Sequence, residues 1–285
     1  MSTSDYPDFL ASGAPMYYPS PTADIFLSNI RDLLNDEEES SVKLVKIWSR
    51  ILHIHAQLFA NTIQGSIGNA VYSGPFKGMK LTPDVMTKMY APVLLGTYEH
   101  ELHPIVEQII TTPYQRILNI GCGYGYYAVG LALRLPHLTI DGFDIDPGEQ
   151  QRCRDLAALN NVQDRINISG LFEGSRFADY ADQKTLLIMD IEAAELDLLD
   201  PVKYPALRNM DILVELHDCF TPTISKTIAG RFESSHNVNI IKNDGLLFDF
   251  APVVGNAVYI DPFDRLIATW ENRSGPTPWG FMTVK

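Results

Sequence analysis

The chain has 285 residues, 46% of them hydrophobic and 20% charged, which suits a globular protein with one α/β domain and an appendage. A formal net charge of -13 argues against nucleic acid or an anionic membrane surface as a partner, because phosphate recognition depends on clustered Lys and Arg. The sequence shows no membrane-spanning run, no secretory signal and only three cysteines, so we expect a cytoplasmic protein without a disulfide framework.

The first part of the chain is predicted to lie outside the central sheet. Residues 1–36 begin with a stretch rich in Pro, Ser and Tyr without periodicity and are expected to form an extended N-terminal arm. Apolar residues recur every three or four positions from residue 37 to 64, which predicts an amphipathic helix ended by Gly65. A hairpin is predicted over residues 71–81. We expect residues 37–110 to form a helical cap with this hairpin, which either covers the site or pairs with a second copy as a homodimer.

The most informative stretch is a short apolar run, residues 116–120, that passes into Gly121, Gly123 and Gly125 and then into an apolar helix. Glycine can take left-handed backbone angles and lets a ligand lie against the main chain, beside unpaired N–H groups at a helix N-terminus. About twenty residues further on, a second apolar run ends at Asp144, an acid placed to accept hydrogen bonds from a ribose diol. The spacing is Gly-x-Gly-x-Gly, whereas dinucleotide enzymes use Gly-x-Gly-x-x-Gly. These residues predict a nucleotide-type cofactor site.

Strands and helices alternate through the rest of the chain. Further strands are predicted at residues 165–169, 185–191, 211–217, 237–242 and 279–285, and helices at residues 82–83 onward, 105–110, 126–135, 146–160, 222–233 and 264–270. Such alternation implies a parallel sheet with right-handed crossovers. Because the last strand is reached without a full crossover, we expect it to lie antiparallel in a seven-stranded, mostly parallel sheet.

Three segments of the chain resemble a known family. The Gly-x-Gly-x-Gly turn resembles the S-adenosylmethionine (SAM) site of class I methyltransferases, while Leu95-Gly-Thr-Tyr-Glu99 and Asp190-Ile-Glu192 with Glu195 look like motifs of FkbM-type methyltransferases. The likeness covers roughly residues 70–285. It implies an α/β, Rossmann-like class I methyltransferase fold in which residues 111–285 form the SAM-binding domain.

The resemblance also implies which residues hold SAM. The expected cofactor-binding residues are Tyr98, Glu99, Asn119, Gly121, Cys122, Gly123, Gly125, Asp144, Ile145, Gly170, Leu171 and Asp190. Two positions depart from the family pattern. Asn119 stands where an acid commonly lies near the methionine amino group, so Glu99 could supply that contact instead. Ala193 replaces the glycine that usually follows Asp-x-Glu, which leaves less room for substrate or cofactor.

The expected catalytic residues, His217, Asp190 and Glu192, follow the fourth and fifth predicted strands. His217 could act as a general base, since the ordinary pKa of histidine lies near neutral pH. A divalent metal on Asp190, His217 and Asp218 is an alternative that we do not favour, because His is an unusual ligand for Mg²⁺. In a third alternative, Asp190 holds the amino group of SAM or caps the next helix, and His217 only packs. Cys122 lacks a basic neighbour that would activate it as a nucleophile.

The expected activity is SAM-dependent methylation of a small molecule, with a hydroxyl of a sugar or natural-product intermediate as the acceptor. A nicotinamide-dependent oxidoreductase is the alternative from another enzyme class, and the glycine spacing and the lack of an evident Tyr-x-x-x-Lys pair argue against it. A SAM-binding protein with other chemistry, or with no turnover, is a third alternative, favoured by Asn119 and Ala193. The sequence does not identify the acceptor, because no motif marks the cap that would shape its pocket.

Overall fold

The computed structural model describes residues 20–83, 91–192, 194–242, 262–271, 273 and 275–285. Three features singled out in the sequence therefore lie outside the described residues. These are residues 1–19 of the predicted N-terminal arm, Ala193 and the continuation of the helix predicted to begin near Pro83.

The chain divides into two compact units. One is formed by Met1–Gly68 with Leu247–Trp270, and the other by Asn69–Leu246 with Glu271–Lys285. The division falls at Gly68 and not at residue 110 as predicted, since the segment after Gly68 belongs to the unit that contains the sheet.

Regular structure accounts for most of the described residues. The helices are α1 Ser20–Asn35, α2 Ser40–Ile67, α3 Ala91–Leu95, α4 His103–Thr111, α5 Tyr126–Arg134, α6 Pro147–Leu159, α7 Glu195–Leu198, α8 Ile224–Phe232 and α9 Pro262–Ala268. The strands are β1 Arg116–Ile120, β2 Ile140–Phe143, β3 Ile166–Ser169, β4 Thr185–Met189, β5 Asp211–Glu215, β6 His236–Ile241 and β7 Trp279–Val284. The strands lie within about two residues of their predicted bounds, as boundaries assigned from hydrogen bonds usually do.

The first helix corrects the prediction of an extended arm over residues 1–36. Residues 20–35 are helical as α1, whereas residues 1–19 lie outside the described residues. The partly buried apolar side chains of α1 recur at three- and four-residue steps, which places them on one helix face: Ala23, Phe26, Ile30 and Leu33. The Pro- and Ser-rich composition before residue 20 concealed this periodicity.

The second helix is longer than predicted. Gly65 lies inside α2, and the helix ends before Gly68, which takes a left-handed φ of 80° and donates its backbone N–H to the carbonyl of Gln64. Glycine is the residue best suited to that conformation at a helix C-terminus. His55 of α2 hydrogen-bonds Asp264 of α9 at 2.9 Å, which joins the two segments of the helical unit. None of the helices that the structure describes is long and apolar enough to cross a membrane. The homodimer expected through this region stays a prediction.

The second unit is built on a seven-stranded sheet with the order β3-β2-β1-β4-β5-β7-β6. Strands β1 to β5 pair in parallel, whereas β7 lies antiparallel to both β5 and β6. The predicted mostly parallel sheet with an antiparallel last strand is therefore confirmed. All five residues of β4 and of β5 are buried, as expected for central strands covered on both faces.

The strand order decides where a ligand can bind. Because β1, β4 and β5 are neighbours and parallel, the residues that follow their carboxyl ends meet at one edge of the sheet. Ligands of open α/β sheets bind outside this edge. Gly121 follows β1, Asp190 follows β4 and His217 follows β5.

The predicted hairpin over residues 71–81 is a tight loop with an isolated antiparallel bridge between Ala70 and Lys80, without extended strands. Gly74 has a φ of 74°, and a Cβ there would lie 2.6 Å from the carbonyl oxygen of Gly96. This close approach needs glycine at position 74. The loop thereby packs against the segment that leads to Tyr98 and Glu99.

Candidate functional site

The loop after β1 is held against two neighbouring strand ends. The N–H of Gly123 donates to Oδ2 of Asp144 at 2.8 Å, and Oδ1 of Asp144 accepts from the N–H of Asp146 at 2.8 Å. Gly121 has a φ of 75°, and a Cβ there would lie 1.6 Å from the backbone oxygen of Asp190. The sequence-predicted residues Gly121, Gly123 and Asp144 are thus brought together, and the first glycine allows β1 and β4 to end in contact.

Gly125 lies where two helices pack closely. It precedes α5 with a φ of 98°, and a Cβ there would lie 2.5 Å from Sγ of Cys153 in α6. It lines none of the three cavities described below. Gly125 therefore allows two helices to pack closely, and its predicted contact with the cofactor stays a prediction.

The largest of the three cavities at this edge has a volume of about 320 Å³. Among the residues that line it are six of the predicted cofactor residues: Gly121, Asp144, Ile145, Gly170, Leu171 and Asp190. Ile145 is 76% exposed and Leu171 67% exposed, so two apolar side chains stand at the mouth of the cavity with little protein around them. Phe143 and Phe172 form part of its apolar lining.

A second, smaller cavity of about 80 Å³ is lined by the other predicted residues, Tyr98, Glu99, Asn119, Cys122 and Gly123, and again by Gly121 and Asp190. Oδ1 of Asn119 is buried and has no hydrogen-bond partner among the described residues. Buried polar atoms nearly always have a partner in a working protein, so this oxygen is available to a donor on a ligand.

Glu99 is the buried acid of the second cavity. It is 2% exposed, has a left-handed φ of 48°, accepts a hydrogen bond from the hydroxyl of Tyr127 and lies 3.4 Å from Arg273. Burial raises the pKa of Glu99, as does the negative charge of Glu215, and the nearby charge of Arg273 offsets only part of this, so that the pKa is about 8. Because this pKa lies close to neutral pH, the charge of a group bound beside Glu99 would decide whether Glu99 is ionised.

The third cavity, of about 200 Å³, is polar. Its lining includes Tyr98, Asp190, Glu192, Glu215, His217 and Arg273. The guanidinium of Arg273 contacts Glu99, Glu215 and Glu271, and these carboxylates hold the pKa of Arg273 above its ordinary range despite its burial. Asp190 lines all three cavities. It stands where they meet.

The predicted catalytic residues converge in the third cavity. Nε2 of His217 lies 3.4 Å from Oε2 of Glu192 and 3.6 Å from Oδ1 of Asp190. On the other side of the ring, Nδ1 of His217 hydrogen-bonds Oε1 of Glu195 at 2.8 Å. His217 is 3% exposed and Glu195 is fully buried, so the imidazole has a fixed orientation.

The charges of this group change its proton affinities. Burial raises the pKa of Asp190 well above its ordinary range, and the negative charges of Glu215 and Glu99 add to the effect. Burial lowers the pKa of His217, but the hydrogen bond with Glu195 and the surrounding carboxylates outweigh it, so that the net shift is upward. His217 is therefore surrounded by more acidic than basic side chains.

Three of these residues were not assigned to the site from sequence. Glu195 and Glu215 lie in motifs or strand ends that the sequence displays, but their approach to His217 depends on the pairing of β4 with β5. Arg273 carries no local signal, because it comes from a segment far along the chain that returns to the sheet through β7.

Asp218 does not join the group around His217. Its Oδ1 accepts from the backbone N–H of Ser225 at 3.0 Å and its Oδ2 from the Ser225 hydroxyl at 2.6 Å, so it holds the start of α8. Asp218 is therefore not among the three residues whose potential ligand atoms converge, which are Asp190, Glu192 and His217. Cys122 is a buried thiol, and its hydrogen bond with Cys153, together with burial, raises its pKa. No reactive thiolate forms there at neutral pH.

Relatives of known activity match parts of the chain. A stretch of 108 residues is 35% identical to a release factor glutamine methyltransferase of Geobacter sulfurreducens and covers 36% of each protein. A stretch of 77 residues is 35% identical to a tRNA1(Val) (adenine(37)-N6)-methyltransferase of Yersinia pestis and covers 27% of each protein. Both relatives are methyltransferases, and the seven-stranded, mostly parallel sheet with an antiparallel last strand is the one expected from the resemblance. The chain has the fold of the class I SAM-dependent methyltransferases.

Solved methyltransferase structures align with this fold at low identity. An O-methyltransferase of Bacillus cereus in complex with SAH covers 80% of this chain and 90% of its own, with a TM-score of 0.42 and 13% identity. The O-methyltransferase TomG of Streptomyces achromogenes, in complex with SAM, covers 65% and 78%, with a TM-score of 0.42 and 13% identity. Neither similarity bears on substrate or mechanism. No protein-family model matches the chain, so the FkbM-type resemblance stays a prediction.

Proposed function

We propose that the protein is a SAM-dependent methyltransferase whose acceptor binds beside Asp190. The observation that carries this proposal is that Asp190 lines all three cavities at the carboxyl edge of the sheet. Two of these cavities suit the two ends of SAM, and the third opens at their junction. A donor held in the first two would present its reactive group to a molecule in the third, and such alignment is the main requirement for methyl transfer.

The largest cavity fits adenosine. Asp144 still offers lone pairs on both carboxylate oxygens beside its two backbone contacts, and these could accept hydrogen bonds from a ribose diol. Ile145 and Leu171 present exposed apolar surface at the mouth, and a planar base between them would cover that surface. The cavity volume of about 320 Å³ lies within the range of small-molecule sites.

The smallest cavity fits the methionine end. The unpartnered Oδ1 of Asn119 can accept a hydrogen bond from the ammonium group of SAM, and Glu99 lines the same cavity. The positive ammonium group would lower the raised pKa of Glu99, so Glu99 can supply the negative charge that Asn119 lacks. SAM, when bound, supplies an electrophilic methyl group on its sulfonium. The chain has to hold this group at the junction, exclude water and remove a proton from the acceptor.

The third cavity indicates the kind of acceptor. Its polar walls, including Glu192, Glu215 and His217, suit a small molecule with several hydrogen-bond donors, and hydroxyl groups of a sugar or natural-product intermediate meet this requirement. A nucleic-acid acceptor like that of the tRNA-modifying relative is opposed by the net charge of -13 and by the acids around the site. We therefore favour O-methylation of a polar small molecule.

A binding experiment with two matched variants tests the proposed cofactor site. Leu171 lines the adenosine cavity and is 67% exposed, whereas Val202 is 80% exposed and lines none of the three cavities. By titration calorimetry, the wild type and Val202→Asp should bind S-adenosylhomocysteine equally, and Leu171→Asp should bind it at least about tenfold more weakly, a difference of about 1.4 kcal/mol.

Competing functions give different results in the same titration. Binding of NAD without binding of SAM or S-adenosylhomocysteine would replace the proposal with the oxidoreductase alternative. Incubation with methyl-labelled SAM and fractionated small polar metabolites then separates an enzyme from a SAM-binding protein. Label in an alkali-stable product, as expected for a methyl ether, supports O-methylation, whereas tight SAM binding without labelled product from any fraction contradicts turnover.

A further inference from the structure

Three potential metal ligands converge at the carboxyl ends of β4 and β5. Nε2 of His217, a carboxylate oxygen of Asp190 and one of Glu192 all lie within 4.8 Å of one another. Asp190 and Glu192 follow β4, and His217 follows the neighbouring parallel strand β5. Two strands of the rigid sheet therefore place the three atoms around one point.

The inner atoms of this group lack partners. Nε2 of His217 makes no hydrogen bond with any described residue, although the side chain is 3% exposed. Oδ1 of Asp190 is also buried without a hydrogen-bond partner in the part of the chain that the structure describes. These two atoms face each other at 3.6 Å. Oε2 of Glu215 lies 3.7 Å from the same Nε2, so either a proton or a bound cation is needed between the ring and these carboxyl groups.

Glu195 fixes which nitrogen of His217 points inward. Because Oε1 of the buried Glu195 lies 2.8 Å from Nδ1, the ring donates its Nδ1–H to that carboxylate, and in the neutral ring the lone pair then lies on Nε2. A carboxylate that holds the far nitrogen of an imidazole is the usual support of a histidine ligand to a metal. Glu195 is a positioning residue in this arrangement.

The charges near this point are not balanced by the protein. The guanidinium of Arg273 is engaged by Glu99, Glu215 and Glu271. Among the described residues, Asp190 and Glu192 form ion-pair contacts with His217 alone. Two carboxylates without another cation attract a positive ion.

We propose that Asp190, Glu192 and His217 bind a divalent cation of the first transition row, for which Mn²⁺ serves as the probe. One imidazole nitrogen and two carboxylate oxygens suit such an ion better than Mg²⁺ or Ca²⁺, which prefer oxygen ligands alone. Neighbouring ligands about 2.1 Å from a metal are about 3.0 Å apart in octahedral geometry and about 3.4 Å apart in tetrahedral geometry. The two measured separations from Nε2 are 3.4 and 3.6 Å, so the site could close on a cation with small side-chain movements.

The role of the cation rests on the proposed function, since the same residues line the acceptor cavity. A cation there would draw electron density from an acceptor hydroxyl and make its proton easier to lose to water. The new O–CH₃ bond then forms as the S–CH₃ bond breaks and its electron pair stays on sulfur. The cation site itself can be tested without an acceptor and without SAM.

The test is direct binding of Mn²⁺ to the full chain after removal of metals with a chelator. Electron paramagnetic resonance of free Mn²⁺ should show one ion bound per chain, and a tenfold excess of Mg²⁺ should leave it bound. His217→Ala and Glu192→Gln should each weaken binding at least about tenfold. Asp218→Asn is the matched control, because Asp218 adjoins His217 but contacts Ser225. It should bind Mn²⁺ like the wild type.

Each outcome decides the proposal. Absence of stoichiometric Mn²⁺ binding to the wild type, or equal binding by His217→Ala and Glu192→Gln, overturns it. Loss of Mn²⁺ in Asp218→Asn with retention in Glu192→Gln overturns the ligand set. Circular dichroism establishes that each variant is folded, and Glu192→Gln is the safer variant because Glu192 is exposed. Failure of S-adenosylhomocysteine to bind would contradict the proposed function and leave the Mn²⁺ result standing.

Discussion

Replacement of Gly121 by alanine tests whether the contact between β1 and β4 builds the site. The new Cβ would lie 1.6 Å from the backbone oxygen of Asp190, and the two atoms must move apart by about 1.4 Å before they reach 3.0 Å. That shift would break the hydrogen bond from the N–H of Asp190 to Ile120, now 3.0 Å long. The left-handed backbone costs alanine about 1 kcal/mol and the lost hydrogen bond about 1 kcal/mol. We expect a destabilisation of about 2–4 kcal/mol.

Gly123 is the matched control for this substitution. It lines the same small cavity and has a φ of 51°, but a Cβ there meets no atom within 4 Å. Gly123→Ala should therefore lose only the backbone contribution of about 1 kcal/mol. By scanning calorimetry, Gly121→Ala should unfold at least about 2 °C below Gly123→Ala, and it should bind S-adenosylhomocysteine at least about tenfold more weakly. Equal unfolding temperatures and equal affinities of the two variants would refute the reasoning.

Three further predictions concern the buried acid Glu99, the contact of Glu195 with His217, and the room around two glycines in helices. The pKa of Glu99 rises from 4.5 to about 8 in the folded chain, so the folded state holds an extra proton between these values and its free energy of unfolding falls as pH rises through them. The melting temperature of Glu99→Gln relative to wild type should thus increase from pH 5 to 9, and a constant difference would contradict this assignment. Glu195→Gln should weaken Mn²⁺ binding by about tenfold, because the carboxylate that orients His217 is lost. The affinity for S-adenosylhomocysteine, measured by calorimetry, should stay within about threefold of the wild-type value. An unchanged affinity for Mn²⁺ would count against the positioning role of Glu195. Gly230→Ala should stabilise α8 by about 0.5–1 kcal/mol, because the new Cβ meets no atom within 4 Å. Gly130→Ala should destabilise the folded protein, because the new Cβ would lie 2.5 Å from the ring of Phe76. Thermal melts that rank the two variants in the opposite order would refute this prediction.

The sheet could be predicted from the sequence because its signals are local. Alternating apolar strands and helices, Pro147 after an N-capping Asp146 and the glycines after β1 each specify structure within a few residues. Asp144 could be placed in the same way, because it directly follows the second apolar run. Strand ends that are adjacent in the sheet then brought Asp190 and His217 together, as the parallel topology requires.

The rest of the site could not be predicted because it depends on contacts between distant segments. Glu195 and Arg273 act through partners 22 and 174 residues away in sequence. Gly125 follows the glycine pattern but is needed for helix packing against Cys153, a distinction that spacing alone does not contain. In α1, the weak apolar periodicity was masked by the composition of the residues before it.

The most direct test of the central claim is a crystal structure of the protein with S-adenosylhomocysteine. The claim is that Asp190 marks the junction between the donor and acceptor sites. We predict the ribose at Asp144, the adenine between Ile145 and Leu171, and the sulfur beside Asp190, facing the cavity that contains His217. Ligand density elsewhere on the chain, or a sulfur directed away from that cavity, would contradict the account.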